Sequence, residues 1–409
     1  QARPIVLQHI TVIDGSGAPP ASDMSVVITD GWVTAVGPAA ATKVPVGALV
    51  VDGRGRYVIP GLWDMHVHLT TEAPHGTEPA GSDLPVARSY FLPLLLGYGV
   101  TGVRDMAGDL RVLQAWRKAI ATGEVIGPRI IATGYKIGQE KPVVPGAPPR
   151  VRDADAARHA VQALKGAGAD FVKIDLASGD IAPAVAEESK RVGLPFVGHI
   201  PVDADAGAFS DLGMRAVEHQ LGLPLSCSSA VDSLRTRFRE LRRRPKLLLK
   251  LYAWFGLANE EDRLRARMVE THDPARCAAL ADRFVRNGTW NSPTLHLLRD
   301  LGRVEWARDT AAARRYQPAA LRQVGRLEPS DTLRALRQKY YRLNLLIARE
   351  FFRRGVGTLA GTDAPVDNAI PGLSLHEELE LMVEAGLTPL EALRTAASAP
   401  AEFLGLADS

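Results

Sequence analysis

The segment VIPGLWDMHVHL at residues 58–69 decides the fold class. It is almost continuously apolar, which is typical of a strand buried on both faces in a parallel sheet. It ends with His66 and His68, two histidines separated by one residue. Side chains two apart on a strand point the same way, so both imidazoles can reach one ion. An isolated H-x-H is weak evidence, and its meaning depends on the segments that follow.

Seven further apolar segments follow, alternating with Ala-, Leu- and Arg-rich helical stretches. They lie at residues 100–106, 129–137, 171–176, 195–200, 216–220, 289–295 and 358–365. Strands that alternate with helices predict βα units and a parallel sheet, and eight of them predict a closed (β/α)8 TIM barrel. The barrel is expected over residues 58–409, with helical insertions at 221–288 and 296–357, because these connections exceed one crossover helix.

Residues 1–57 have a different texture, with short strands separated by Gly-, Pro- and Asp-rich links, which predicts a small β-module. Two Pro/Gly-rich stretches, Ala73–Pro85 and Gly138–Pro149, follow the first and third predicted strands directly. Each is a candidate lid over the mouth of the barrel, or an ordinary surface loop.

Composition sets the broad class. With 409 residues, 46% hydrophobic and 23% charged, the chain can bury a large core and is not disordered. A formal net charge of +3 over this length produces only a weak electrostatic field, so no nucleic-acid partner is expected. No apolar run is long enough to suggest a membrane span. The two cysteines, Cys227 and Cys277, neither require nor exclude a bridge. The chain opens on Gln1-Ala2 without an initiator Met, so we expect a processed export signal and a periplasmic or secreted protein, otherwise a cytoplasmic one.

Residues with metal-ligand chemistry stand at the C-terminal ends of the predicted strands, which converge on one face of a barrel. The set is His66, His68, Lys173, His199, His219 and Asp363. Lys173 interrupts the apolar strand VKIDL, where it could also snorkel or pair with Asp175. Burial would leave it as a neutral amine, which reacts with carbon dioxide to give a carbamate able to bind two ions. The set therefore predicts a metal site.

These motifs resemble those of the amidohydrolase superfamily, metal-dependent hydrolases built on a distorted (β/α)8 barrel beside a small β-sandwich. The resemblance spans nearly the whole chain and is carried by VIPGLWDMHVHL, VTGVRDM, VKI, GHI, EHQ and GTDAP. The C-terminal stretch beginning PGLSLHEELELMVEAG resembles the prolidase-like and imidazolonepropionase-like branch. Because the chain stops at Ser409, before the strands with which relatives return to the sandwich, we expect an incomplete sandwich.

The resemblance implies a binuclear hydrolase that cleaves the amide bond of a dipeptide or an N-acyl amino acid, as in prolidases, carboxypeptidases and ochratoxin-type amidases. His66, His68 and Asp363 would bind one ion, His199 and His219 the other, and carboxylated Lys173 would bridge both together with an attacking hydroxide. Zinc is the default metal, although manganese or cobalt would also serve. Asp363 would also transfer the proton to the leaving amine. A homo-oligomer is expected by the same resemblance.

Two residues are candidate substrate contacts. Tyr135 follows the third strand and could stabilise an oxyanion, and His296 follows the seventh and could bind a substrate carboxylate. Either could instead be an ordinary packed residue. Arg104 and Asp105 are a candidate pair behind the ligands. The remaining histidines are expected to be bystanders, namely His9, His75, His159, His272 and His376.

Two alternatives stay open. A cyclic amidohydrolase of the imidazolonepropionase type would usually work with one metal and without the lysine, so Lys173 argues against it. A catalytically silent barrel would require lost ligands, and none is lost from the sequence.

Overall fold

The structure, a computed structural model, describes residues 3–70, 87–138, 151–175, 179–243, 259–302, 330–366 and 369–406. The chain forms two compact units. The first is Gln1–Gly61 together with Thr388–Ser409, and the second is Leu62–Leu387. The contacts thus group residues 58–61 and the C-terminal segment with the N-terminal module, whereas the sequence assigned them to the barrel. Most of both candidate lids, including His75, lies outside the described residues.

The first unit contains one mixed five-stranded sheet. Its strands are β1 Ile5–Val12, β2 Ala21–Thr29, β3 Trp32–Pro38, β4 Leu49–Asp52 and β5 Tyr57–Val58. Their order is β3-β2-β1-β4, with β5 paired to β1. Asp30 and Gly31 connect β2 to β3 and both have positive φ, as a two-residue hairpin turn of type I′ requires. The predicted second layer of a β-sandwich stays a prediction, since the described residues of this unit form only this sheet.

The second unit contains two parallel sheets of buried strands. The first has the order β6-β7-β8 and the second β12-β11-β10-β9. The strands are β6 Leu62–Val67, β7 Val100–Asp105, β8 Arg129–Ala132, β9 Val172–Ile174, β10 Phe196–Gly198, β11 Ala216–Glu218 and β12 Trp290–Ser292. The α/β class with parallel strands is therefore confirmed.

Isolated parallel bridges link the ends of these two sheets. Ile137, beyond the end of β8, pairs with Ile174, the last residue of β9. The predicted eighth strand at residues 358–365 is not a regular strand, and it meets its neighbours through Thr358, which pairs with Asn291, and Ala364, which pairs with Val67. Its main chain also bonds to β6, because Met65 N donates to Ala360 O at 2.9 Å.

Helices follow the strands of the second unit, after a short π-helical turn at Ala87–Phe91. They are α1 Leu92–Gly97, α2 Leu110–Ala121, α3 Ala154–Gly166, α4 Ile181–Val192, α5 Ala206–Asp211, α6 Leu223–Ser226, α7 Val231–Arg243, α8 Glu260–Glu270, α9 Pro274–Asn287, α10 Leu295–Gly302, α11 Asp331–Arg353 and α12 Leu373–Glu384. Asp, Asn or Ser side chains cap several N-termini, for example Asp109 before α2 and Asp273 before α9. In the first unit, α13 Pro389–Ala396 and α14 Ser398–Leu404 follow.

Two further features bear on the sequence predictions. Cys227 at the end of α6 and Cys277 in α9 form a disulfide, with their Cα atoms 4.4 Å apart. Among the described residues, no helix has both the length and the apolar character that crossing a bilayer demands.

Candidate metal centre

The six predicted ligands come together at the strand ends of the second unit, and we refer to them as the central cluster. They are His66, His68, Lys173, His199, His219 and Asp363. Asp363 contacts two of the histidines: its Oδ1 atom lies 3.0 Å from His66 Nε2 and 3.1 Å from His68 Nε2. Lys173 Nζ lies 3.4 Å from His66 Nε2. The His219 ring centroid is 4.5 Å from that of His66 and 4.9 Å from that of His199.

Glycines in the motifs allow this close approach of neighbouring chains. A Cβ on Gly198, directly before His199, would lie 2.1 Å from the carbonyl oxygen of Ile174, and its φ of +139° is one that other residues rarely adopt. A Cβ on Gly361 would lie 2.8 Å from the Cβ of His66. The glycines of GHI and GTD are therefore required by packing around the ligands.

Three histidines of the central cluster are held through Nδ1. Glu218 Oε2 lies 2.8 Å from His66 Nδ1, Asp175 Oδ1 lies 2.7 Å from His199 Nδ1, and Thr294 Oγ1 lies 2.6 Å from His219 Nδ1. Such partners orient an imidazole and direct Nε2 toward a metal. His199 Nε2 is buried and has no hydrogen-bond partner among the described residues. A buried polar atom without a partner is costly, and coordination of an ion would satisfy it.

The protonation states suit metal binding. Burial lowers the pKa of His199 to about 4 and that of His219 well below its usual range, so both rings are neutral and carry a lone pair at pH 7. Burial also lowers the pKa of Lys173 to about 8. Burial alone would raise the pKa of Asp363, but His219 and His66 hold it well below its usual range. The donor set of neutral imidazoles and a carboxylate fits divalent metals.

A buried ion pair supports His66 from behind. Glu218 Oε1 accepts a hydrogen bond from Arg104 Nη2 at 2.8 Å, and Arg104 Nε donates to Met65 O at 2.7 Å. Burial would raise the pKa of Glu218, but Arg104 and His66 hold it well below its usual range. Arg104 was predicted to lie behind the metal-binding side chains as a pair with Asp105, and Asp105 Oδ2 accepts a hydrogen bond from Leu69 N.

Sequence reasoning missed two acidic residues of this site. Glu218 directly precedes His219, a predicted ligand, in EHQ, and an acid at that position was the available signal. Asp64 precedes His66 by two residues and accepts from Thr362 Oγ1 at 2.6 Å and from His66 N at 3.2 Å. Asp64 thereby links residues 361–363 (GTD) to β6 through hydrogen bonds.

The two predicted substrate contacts lie in different surroundings. The Tyr135 hydroxyl donates to the carbonyl oxygen of Ala160 in α3 at 3.0 Å, and burial raises its pKa to about 12. His296, at the start of α10, is buried with Nε2 at 2.8 Å from Glu377 Oε2. Its Nδ1 atom is buried without a hydrogen-bond partner among the described residues.

No protein-family model matches the chain, and no curated protein matches it. Solved structures do match it over its whole length. A Xaa-Pro dipeptidase with bound methionine in its active site is 19% identical, with 99% of this chain and 90% of that one covered and a TM-score of 0.67. Bottromycin amidohydrolase is 21% identical, with 100% and 80% covered and a TM-score of 0.66. The ochratoxinase of A. niger is 18% identical, with 99% and 85% covered and a TM-score of 0.64.

The chain therefore shares the fold of prolidase-like and amidohydrolase structures, and the resemblance predicted from the motifs is confirmed for the fold.

Proposed function

We propose that the chain is a binuclear metal-dependent hydrolase that cleaves the amide or peptide bond of a dipeptide or an N-acyl amino acid. The observation that carries the proposal is the position of Lys173. Its side chain is fully buried, and Nζ lies 3.4 Å from His66 Nε2 among histidines and Asp363. A protonated lysine has no lone pair and would repel cations, whereas as a carbamate it would be a ligand for two ions.

The proposed scaffold is a closed, distorted (β/α)8 barrel. Its support is the continuity of pairing around the strands, with bridges at Ile137 and Ile174, at Asn291 and Thr358, and at Val67 and Ala364. In a barrel all strand C-termini share one face, which accounts for one site built from five strand ends, with His66 and His68 at the same one.

In the proposed centre, His66, His68 and Asp363 would hold one ion, His199 and His219 would hold the second, and carboxylated Lys173 would be a ligand to both. The lowered pKa of Lys173 supports carboxylation, because only the neutral amine attacks carbon dioxide. The amine forms a C–N bond to carbon dioxide and releases one proton, which leaves an anionic carbamate. Two divalent ions, with zinc as the first choice and manganese or cobalt as alternatives, would lower the pKa of a bound water and polarise the scissile carbonyl.

Asp363 is the residue we propose for proton transfer. Its Oδ1 atom is the point on which His66 and His68 converge, so a carboxylate there lies beside any group held between the histidines. Because the pKa of Asp363 is held well below its usual range, its side chain is an ionised carboxylate at neutral pH, the form that can accept a proton and pass it to the leaving amine. His296 is proposed to bind the carboxylate of the substrate. Tyr135 could face the scissile carbonyl oxygen of the substrate only after its hydroxyl releases the hydrogen bond to Ala160 O.

The substrate class rests on the structural relatives. Those with the fold include a Xaa-Pro dipeptidase and an ochratoxinase, and a prolidase structure contains N-methylphosphonate-L-proline. From these relatives we infer that the substrate is a small molecule with an amide bond beside a carboxylate. Buried Lys173 weighs against the cyclic amidohydrolase alternative, and the complete ligand set weighs against a silent barrel.

We also propose a periplasmic or secreted protein and a homo-oligomer. The disulfide between Cys227 and Cys277 supports the compartment, because disulfides persist in oxidising environments. Counting free thiols in the protein isolated from its native compartment tests that part, since two reactive thiols would place it in a reducing one.

The test of function combines metal analysis with a substrate panel of N-acyl amino acids and of Xaa-Pro, Xaa-Arg and Xaa-Phe dipeptides. We expect about two equivalents of metal and release of a C-terminal amino acid. One equivalent or none, without amide turnover, would contradict the binuclear amidase and favour a mononuclear cyclic-amide hydrolase or a silent barrel.

A further inference from the structure

A second group of metal-binding side chains lies outside the central cluster. We refer to it as the thiol cluster, and it comprises Cys227, His272, Cys277 and Glu350. One ligand atom from each of His272, Cys277 and Glu350 lies within 4.8 Å of the others. Cys227 joins them through its bond to Cys277. The cluster is formed by the ends of α6 and α9 and by α11.

His272 is the unusual member. Both ring nitrogens are buried, and neither has a hydrogen-bond partner among the described residues. Buried polar atoms are ordinarily satisfied, so two vacant nitrogens on one ring point to a ligand. Burial also lowers the pKa of His272, which keeps the ring neutral, the form that binds metals.

The backbone holds this histidine beside the cysteines. Ser229 N donates to Thr271 O and Asp273 N donates to Cys227 O, both at 2.8 Å, so the main chain on either side of His272 is fixed to the segment after α6. A ligand that is held before the metal arrives loses little conformational freedom on binding.

Glu350 is brought to the same place by α11. The ring of its neighbour Phe351 packs edge-on against Phe284 of α9, with centroids 5.3 Å apart. Arg354, one turn further along the chain, donates to Asp282 at 2.9 Å. Burial raises the pKa of the Glu350 carboxyl, as expected for an acid brought into a partly apolar environment.

We propose that reduction of the disulfide between Cys227 and Cys277 converts the thiol cluster into a zinc site with two thiolates, one imidazole and one carboxylate as ligands. A dithiol reductant supplies two electrons and two protons, the S–S bond breaks, and the reductant becomes a disulfide. When zinc binds, each thiol releases its proton. In the oxidised protein the sulfurs are bonded to each other and cannot act as thiolates, so the disulfide and the metal exclude one another.

Ligand chemistry and spacing support zinc. Two thiolates, an imidazole and a carboxylate are all accepted zinc ligands. Bond lengths of about 2.0–2.3 Å and a tetrahedral geometry place ligand atoms roughly 3.3–3.8 Å apart. The ligand atoms of His272, Cys277 and Glu350 already lie within 4.8 Å of one another, and Cys227 is bonded to Cys277. The same junction of α6, α9 and α11 would thus be cross-linked by metal in reducing conditions and by the disulfide in oxidising ones.

Cobalt(II) is the probe that separates this site from the central cluster. Thiolate-to-cobalt charge transfer gives a near-ultraviolet band, and the central cluster contains no cysteine. The full-length protein is stripped of metal, divided into a disulfide form and a form reduced by a phosphine, and titrated with cobalt(II). We expect the band in the reduced form, saturating at one equivalent per chain, and no band in the disulfide form. Absence of the band from reduced, folded protein would overturn the proposal.

Variants then identify the ligands. His272→Ala should weaken cobalt binding at this band by at least about 10-fold, since even partners behind metal ligands are worth roughly 10–100-fold. Glu350→Gln keeps the size of the side chain and should also weaken it, which provides the test if His272→Ala does not fold. His159→Ala removes an exposed histidine of α3 and should leave the band unchanged. An unaltered band and affinity in both His272→Ala and Glu350→Gln would refute the assignment, whether or not the proposed hydrolysis is found.

Discussion

The central cluster and the thiol cluster both gather histidine and carboxylate side chains, but they differ in how their histidines are held. In the central cluster, Glu218, Asp175 and Thr294 each engage one Nδ1 atom and leave Nε2 for a ligand. In the thiol cluster, both nitrogens of His272 are without a partner among the described residues. The imidazole rings of the first site are oriented before metal arrives, whereas in the second site only the main chain around His272 is held.

This difference indicates different tasks. Partners that fix an imidazole set the direction of its lone pair, which a site for chemistry needs. A site that serves only to cross-link helices tolerates a ring that is oriented by the ion itself. We therefore expect substitutions in the central cluster to change turnover, and substitutions in the thiol cluster to change stability and metal content only.

The largest effect is expected for Lys173→Ala. Without the bridging ligand both ions lose a shared anionic donor, so bound metal should fall well below two equivalents and amide hydrolysis by at least about 10³-fold. Metal analysis and kcat on the best substrate of the panel measure both. Lys165→Ala, an exposed lysine at the end of α3, is the control. Survival of metal content and rate would remove Lys173 from the ligand set.

Asp363→Asn should follow. A proton-transfer group of this kind contributes roughly 10²–10⁴-fold, so kcat should fall by that factor in metal-saturated protein. Asp232→Asn on the surface of α7 is the matched control. A loss in kcat smaller than about tenfold would show that Asp363 is a ligand without a role in proton transfer.

Glu218→Gln tests whether the orienting partners matter. The amide cannot accept from both His66 and the Arg104 guanidinium as the carboxylate does, so metal affinity should weaken by roughly 10–100-fold. Competition with a chelator measures the affinity, and KM at saturating metal should stay unchanged because Glu218 is buried behind the ligand. Glu187→Gln on the exposed side of α4 controls for loss of one acid. Unaltered affinity would mean that the two clusters do not differ in the way proposed.

The sequence predicted which side chains form the central cluster because each stands at a strand end, where topology alone brings distant residues together. It did not predict the partners Glu218 and Asp64, whose roles depend on which way a buried side chain points. The eighth segment was predicted as a strand from its apolar residues, but its pairing is limited to Thr358 and Ala364. Tight turns around Asp363, which has a positive φ, replace a regular ladder there.

Other features could not be read from the sequence because they depend on contacts between separate elements. His272 was expected to be a bystander, since its neighbours Cys277 and Glu350 come from different helices and no periodic pattern connects them. The cysteine pairing was left open for the same reason. Likewise, the sequence of residues 388–404 does not say which unit they belong to.

The two predicted substrate contacts, His296 and Tyr135, give a smaller effect. His296→Ala should raise KM by roughly 10–100-fold if the imidazole binds a substrate carboxylate, since a hydrogen bond to a charged group is worth about 1.5–3 kcal/mol. Tyr135→Phe should leave KM unchanged and lower the free energy of unfolding by about 1 kcal/mol, because its hydroxyl bonds to Ala160 O. Steady-state kinetics measures KM and kcat of both variants, and urea unfolding measures their free energy of unfolding. A lower kcat in Tyr135→Phe would instead indicate that the Tyr135 hydroxyl takes part in the reaction.

The smallest effect concerns His272 in the disulfide form. Burial lowers the pKa of the folded ring below 6.5, so under mildly acidic conditions the unfolded chain binds a proton that the folded one does not. The free energy of unfolding should therefore fall as the pH drops below about 6.5, until the folded pKa is reached. His272→Asn should flatten this slope, as measured by urea unfolding at several pH values, whereas His159→Asn controls for loss of an exposed histidine. An identical slope in parent and His272→Asn would mean that the ring is not desolvated, and the contrast between the two clusters would then fail at its central observation.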